Sequence, residues 1–302
     1  MFDLVNGGMI AATLALANMA ILQNSPQQAD APEIVVSGIS DMDHEIREFV
    51  GALAVSPGAT QLSRFARRPV CPLAIGVPES QKEAVAGRIR QVAAAAGITV
   101  GGKSCKPNVV VAVTQDKRLF IEALRRRHPY FFEQMSPRQH RRLVRQPGPA
   151  TAWHVHGPLL TTDGREMPSV SGDNGGDYYV NFTINPGSRI TIPTYPQFAA
   201  AMVIVERGAL DGLTTIQLAD YASMRAFAQL DPARLADSAA PTILKVLEVP
   251  MGGSVPITMT RWDFGLLRSL YASPTNLHVA AQRSAIRRRL TKELDHSETR
   301  RD

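Results

Sequence analysis

Aromatic side chains are scarce in this chain, 6% of 302 residues, and cysteine is scarcer, with two. Two cysteines are too few for a dense disulfide framework, and a chain of this length has core enough to do without one, or without a structural metal. No apolar run reaches the roughly 20 residues that a bilayer core demands, so nothing points to a multi-span membrane protein. A Gly-rich phosphate loop is missing. The turn after the first β-prone run is Val77-Pro78-Glu79, which removes support for nucleotide binding. There is no Gly-x-Ser-x-Gly elbow, neither cysteine has a plausible histidine partner nearby, and no paired carboxylates stand in a setting that would split their pKa values. Internal repeats and low-complexity tracts are also lacking. What remains is an ordinary globular composition, 44% hydrophobic and 20% charged.

The amino terminus differs in kind. Gly7 to Leu22 carries no charge and is followed by a polar, proline-containing stretch, Gln23 to Pro32. This reads as a signal peptide or N-terminal anchor over residues 1–31, and so as an exported protein, periplasmic or associated with the outer envelope. Two features run against it: Asp3 stands where a basic residue is expected, and the best small-x-small site, Ala29-Asp30-Ala31, precedes Pro32. In an oxidising compartment Cys71 and Cys105 are expected to form a disulfide worth about 3–4 kcal/mol. The plainer reading is a pair of buried free thiols. Each cysteine precedes a β-prone run, so the two can meet at one end of a sheet.

Hydrophobic periodicity outlines the rest. Glu33 to Gly38 is β-prone, and Ile46, Phe49, Val50 and Leu53 recur at helical spacing within Asp43 to Ala54. Val70 to Val77 predicts a buried strand. Ser80 with Glu83 reads as a capping box opening a helix that carries Val85, Ile89, Val92, Ala93 and Ala96 inward and stops at Gly97. Asn108 to Thr114 is the strongest strand, and Lys117 to Arg127 a second helix, which together imply a βαβ unit. A short basic helix spans Ser136 to Gln146, and Ala150 to Gly157 reads as a strand. The stretch Pro158 to Pro196 is long and irregular, with β-prone islands at Tyr178–Ile184 and Arg189–Ile192. Ala199 to Glu206 is another buried strand. Thr214 with Gln217 opens a helix to about Leu230, Thr260 with Asp263 opens another, and the last helix runs from Leu277 to Leu294. The expected class is α+β (mixed α/β): a βαβ-containing part at 32–145 holding the Cys71–Cys105 bridge, then a more helical part at 146–302 with a few strands, the loop 158–196 and C-terminal helices.

The string Met259-Thr260-Arg261-Trp262-Asp263-Phe264-Gly265-Leu266-Leu267-Arg268-Ser269-Leu270-Tyr271 resembles the helix that closes matrixin-type metzincin proteases, Leu-Thr-x-x-Asp-x-x-x-Leu-x-x-Leu-Tyr. An earlier helix of that family binds zinc through His-Glu-x-x-His-x-x-Gly-x-x-His. The matching register here holds Gln217, Leu218, Tyr221, Met224 and Phe227, so the resemblance implies a zinc-less shell, with no metal and no cofactor. The order of elements, with the Glu33-Ile34-Val35-Val36-Ser37-Gly38 opening, also resembles uncharacterised exported proteins of alphaproteobacteria. That resemblance implies export and lends no activity.

Four residues are candidates for chemistry. His154 and His156 share one face of a strand and can approach one metal, with His278, Asp173 or Asp177 as a third ligand. The plainer reading makes them the polar face of a strand whose Trp153 and Val155 point inward. Asp220 and Tyr221 lie on one helix with Arg225, where Tyr221 and Arg225, at i and i+4, are the better neighbours.

Charge is the remaining signal. The net value is +6, and it becomes +8 if the leader departs with Asp3 and Asp30. Between Lys117 and Arg145 nine basic residues face two Glu, with clusters at Arg125, Arg126, Arg127 and at Arg141, Arg142. Such a field attracts anionic partners, for an exported protein lipid or polysaccharide, and an envelope protein is the other expected partner. Aromatics are not interleaved with these bases, which argues against nucleic acid. The expected function is therefore a non-catalytic envelope protein binding an anionic surface, a peptide or another protein. The alternative is a peptidase-like hydrolase with a non-standard site under the 158–196 loop.

Overall fold

A computed structural model describes residues 38–55, 59–171, 177–179, 187–188, 191–231, 234–235, 238–249 and 253–298. The expected leader and the β-prone run before Gly38 lie outside these. In chain order the elements are α1 (Gly38–Gly51), β1 (Pro72–Ile75), α2 (Glu79–Ala95), β2 (Val109–Thr114), α3 (Lys117–Arg127), α4 (Pro137–Val144) and β3 (Ala150–His156). Then follow β4 (Leu160–Thr161), β5 (Ser169–Ser171), β6 (Asp177–Tyr179), β7 (Thr194–Tyr195), β8 (Phe198–Glu206), α5 (Thr215–Phe227), α6 (Arg261–Tyr271) and α7 (Val279–Glu298). The class is mixed α+β, as expected.

The main sheet has the order β1-β2-β8-β3. The first three strands are parallel and β3 is antiparallel to β8. Two strands come from each side of residue 145, so the expected domain boundary falls within one hydrogen-bonded sheet. Strand alternation divides the core. Val109, Val111 and Val113 of β2, with Ala201, Val203 and Val205 of β8, face α2 and α5, behind which α1, α6 and α7 pack. Val110, Ala112, Met202, Ile204 and Trp153 face the opposite way, against Ile121 of α3 and Leu143 of α4. Both faces are covered, which is why β2 and β8 read as unbroken apolar runs.

Cys71 and Cys105 form a disulfide with Cα atoms 5.9 Å apart. It sits at the starting end of β1 and β2, where Cys71 N also donates to Asn108 Oδ1 at 2.7 Å. The capping boxes at Thr214/Gln217 and Thr260/Asp263 form, and Ser136 with Gln139 makes a third. The one expected at Ser80 does not. The helix starts at Glu79 after Pro78, which places Ser80 inside the first turn, past the position from which a hydroxyl can cap. The helix from Thr214 ends at Phe227 rather than near Leu230, because Gln229 to Asp231 turn away to pair with Ala52 to Ala54: Ala54 N donates to Gln229 O at 2.8 Å and Asp231 N to Ala52 O at 2.9 Å. The irregular stretch after β3 is an excursion tied at its base by β4 with β7, and further out by β5 with β6. Among the described residues no helix is long and apolar enough to cross a membrane.

Candidate functional site

The site is built around the edge of the sheet. β3 pairs with β8 on one side only, and no further strand adds to its other side among the described residues. Antiparallel strands alternate bonded and non-bonded residue pairs. Glu206 N donates to Pro149 O at 2.8 Å, which makes that pair a bonded one. In the observed register Thr151, Trp153 and Val155 then bond β8, while the backbone N–H and C=O groups of Ala152 and His154 point outward. The register shifts after Val155, and the edge ends at His156. There the amide of His156 donates to Gln134 Oε1 and its carbonyl accepts from Gln134 Nε2, both at 2.9 Å. Gln134 thus imitates a strand residue and closes one end of the open edge.

This edge forms the floor of a cleft of about 1560 Å³. That exceeds the roughly 300–1,000 Å³ usual for a small-molecule pocket. One wall is α4 with its flanking turns: Phe131, Gln134, Met135, Leu143, Arg138, Arg141, Arg142 and Arg145. These four arginines are exposed. The other wall carries Ala54, Gln229, Leu230, Asp231, Glu248 and Arg225. Arg225 is 7% exposed and donates to Tyr221 Oη at 3.2 Å, with no carboxylate partner among the described residues. A cation this far from water ordinarily has an anion beside it.

His154 and His156 both belong to this cleft. They lie on the same side of β3, as their spacing implies, with ring centroids 4.0 and 5.6 Å from that of Phe198. Trp153 turns the other way and is buried against Phe132. His154 Nε2 lies 3.0 Å from Ala226 O, one of the carbonyls left open in the last turn of α5. A carbonyl only accepts, so Nε2 carries the proton. Burial lowers the His154 pKa from 6.5 to about 3, against the opposing effect of that hydrogen bond, and the ring is neutral at physiological pH. Burial lowers His156 as well.

Asp220 and Tyr221 do not line the cleft. Asp220 is fully buried and takes both guanidinium arms of Arg88, a hydroxyl from Thr258 and the amide of Met259. Tyr221 meets Arg225 as the i,i+4 spacing suggested, with the guanidinium 5.9 Å from its ring centre. Of the arginine clusters, Arg141 and Arg142 line the cleft. Arg125, Arg126 and Arg127 stand exposed in the last turn of α3 and do not. Gln217, Leu218, Tyr221, Met224 and Phe227, the positions matching the metzincin zinc helix, are all buried in α5. Among the described residues no three His, Cys, Asp or Glu side chains gather as a metal site would need. Asp173, one suggested third ligand, lies outside the described residues.

Several polar residues escaped the sequence reading. Arg64 is 4% exposed and donates from Nη1 to Leu270 O at 2.7 Å, Ser273 O at 3.0 Å and Tyr271 O at 3.2 Å, so its charge caps the carboxyl end of α6. Burial lowers its pKa. Lys117 is buried against the carbonyls of Gln146 and Gly148, which fixes the turn between α4 and β3. Gln134 closes the edge. No local signal marks any of them, since each acts on residues far away in sequence. A tertiary contact is what gives them a role.

The fold and cleft together define a mixed α+β protein of three layers with an open sheet edge set in a basic cleft. No protein-family model, curated protein or solved structure matches the chain.

Proposed function

We propose that this protein is an exported, non-catalytic binding protein of the cell envelope, holding an extended anionic polypeptide as an added strand along β3. The observation that carries this reading is the unpaired outer edge of β3 lying beneath four exposed arginines of the α4 wall. Backbone groups at such an edge supply affinity without regard to sequence, and the flanking pockets supply selectivity. The Cys71–Cys105 disulfide supports an oxidising compartment, and so export. Two features support binding over hydrolysis. His154 is committed to Ala226 O through Nε2, and Asp220 is committed to Arg88, away from the cleft.

The test is fluorescence anisotropy of a labelled, end-blocked acidic peptide. Binding is expected at low salt, weakening above about 0.3 M, where the Debye length falls well below 10 Å. The double substitution Arg141→Glu, Arg142→Glu is expected to lower affinity by at least about tenfold. Absence of binding at low salt overturns the reading, and so does binding indifferent to both salt and charge reversal.

A further inference from the structure

The two walls of the cleft differ in charge, and strand geometry converts that difference into a sequence preference. Side chains on a strand alternate between faces. In a strand laid on the outer edge of β3, one set of side chains shares the α4 side with Trp153 and Val155. The other set shares the α5 side with Ala152 and His154. The α4 wall brings Arg138, Arg141, Arg142 and Arg145 to the cleft and, among the described residues, no carboxylate. The α5 wall brings Ala54 and Leu230, sets Arg225 against Glu248, and has Asp231 beside Arg234, whose Nε lies 3.8 Å from Asp231 Oδ2, so its charges offset one another. An acidic side chain is therefore attracted on one face, while on the other it meets balanced charge and apolar surface.

Building on the strand-addition reading, we infer that the ligand is a polypeptide strand of alternating acidic and apolar residues, its acidic face toward α4 and its apolar face toward Leu230. The hydrogen bonding adds a second, independent constraint. Among the described residues of β3 that line the cleft, Ala152 and His154 offer outward backbone groups before Gln134 closes the edge at His156. In an antiparallel addition the ligand amides that bond to these two belong to residues whose side chains lie on the α5 side, the apolar ones. In a parallel addition they belong to the acidic ones. Either way one parity of ligand amides bonds the protein and the other faces solvent.

Four end-blocked peptides test this against the intact protein: one of eight residues alternating Glu and Val, one of the same composition with the four Glu in a block, and two copies of the alternating peptide N-methylated at every Glu or at every Val. The alternating peptide is expected to bind about tenfold more tightly than the block peptide, and one methylated copy, not both, is expected to lose binding. Glu248→Lys places a base on the α5 wall and is expected to narrow the preference for alternation. Equal affinity for alternating and block peptides overturns the inference while leaving an anionic binding cleft. Undiminished binding of both methylated copies overturns strand addition itself, and failure of all four peptides to bind overturns the parent reading.

Discussion

The Arg88 guanidinium and the Asp220 carboxylate, 132 residues apart, form a two-pronged ion pair between α2 and α5, with Nε to Oδ1 at 2.7 Å and Nη2 to Oδ2 at 3.1 Å. Thr258 completes a triangle, donating to Asp220 Oδ2 at 2.7 Å and accepting from Arg88 Nη2 at 2.9 Å. The Asp220 side chain is fully buried, and that of Arg88 is 31% exposed. One carboxylate thus ties together two helices and the segment leading into α6.

Removing the carboxylate strands a guanidinium and two further donors. Asp220→Ala is expected to cost about 3–5 kcal/mol, the range for breaking a buried pair from one side. Arg88→Met with Asp220→Leu together is expected to cost less than Asp220→Ala alone. Urea unfolding of the double variant beside Arg88→Met and Asp220→Leu singly measures the coupling, and a purely additive result would show that the pair does not act as a unit.

His154 makes stability depend on pH. Its pKa is about 3 in the folded protein and its ordinary value is 6.5. Its contribution is complete above pH 6.5 and is lost as pH falls toward 3, because the unfolded chain takes up the proton first. Between pH 7 and 4.5 the loss is expected to be about 1–2 kcal/mol, allowing for water at the cleft side of the ring. His154→Gln keeps a donor for Ala226 O and cannot be charged. Its urea midpoint is expected to fall less over that interval than the wild-type midpoint.

The Cys71–Cys105 bridge closes a sequence separation of 34. Cys71→Ser, Cys105→Ser and the double variant are each expected to lose about 3–4 kcal/mol, and dithiothreitol is expected to leave the variants unchanged while lowering the wild type to their level. Export is checked on the same residues. After cell fractionation the chain is expected in the envelope fraction and inert to maleimide, whereas reactive thiols in the cytoplasm would count against an oxidising compartment.

Gly76 ends β1 at φ +76°, and a Cβ there would lie 1.9 Å from Val113 O. The obstacle is backbone of the neighbouring strand, which has no rotamer to yield. Gly76→Ala is expected to destabilise by more than about 2 kcal/mol, combining left-handed strain with displacement of β2. Thermal unfolding gives the measure, and a shift under 1 °C would show that the turn relaxes freely.

Legibility in the sequence followed the range of the interactions. The helix Lys117 to Arg127 and the strand Asn108 to Thr114 were readable because their apolar spacing repeats within a few residues. The Thr214 and Thr260 caps were readable because a capping box is complete within four positions. The Ser80 box misled, since with Pro78 at the cap that helix starts two positions too early for it. The same-face placement of His154 and His156 followed from the period of a strand, yet nothing local showed that Phe198 would lie against both rings or that Ala226 would take the Nε2 proton.

Sequence alone thus located most of the longer helices and strands, marked β8 as buried, made two cysteines available to pair, and showed that the α3–α4 region is rich in arginine. Those properties depend on neighbours along the chain. Only the tertiary structure decided that β8 inserts between β2 and β3 and leaves β3 at the edge, that Asp220 is committed to Arg88 rather than to Arg225, and that α4 hangs four arginines over that edge. Each of these depends on which surfaces meet once the core is buried, and burial is settled by the whole chain at once.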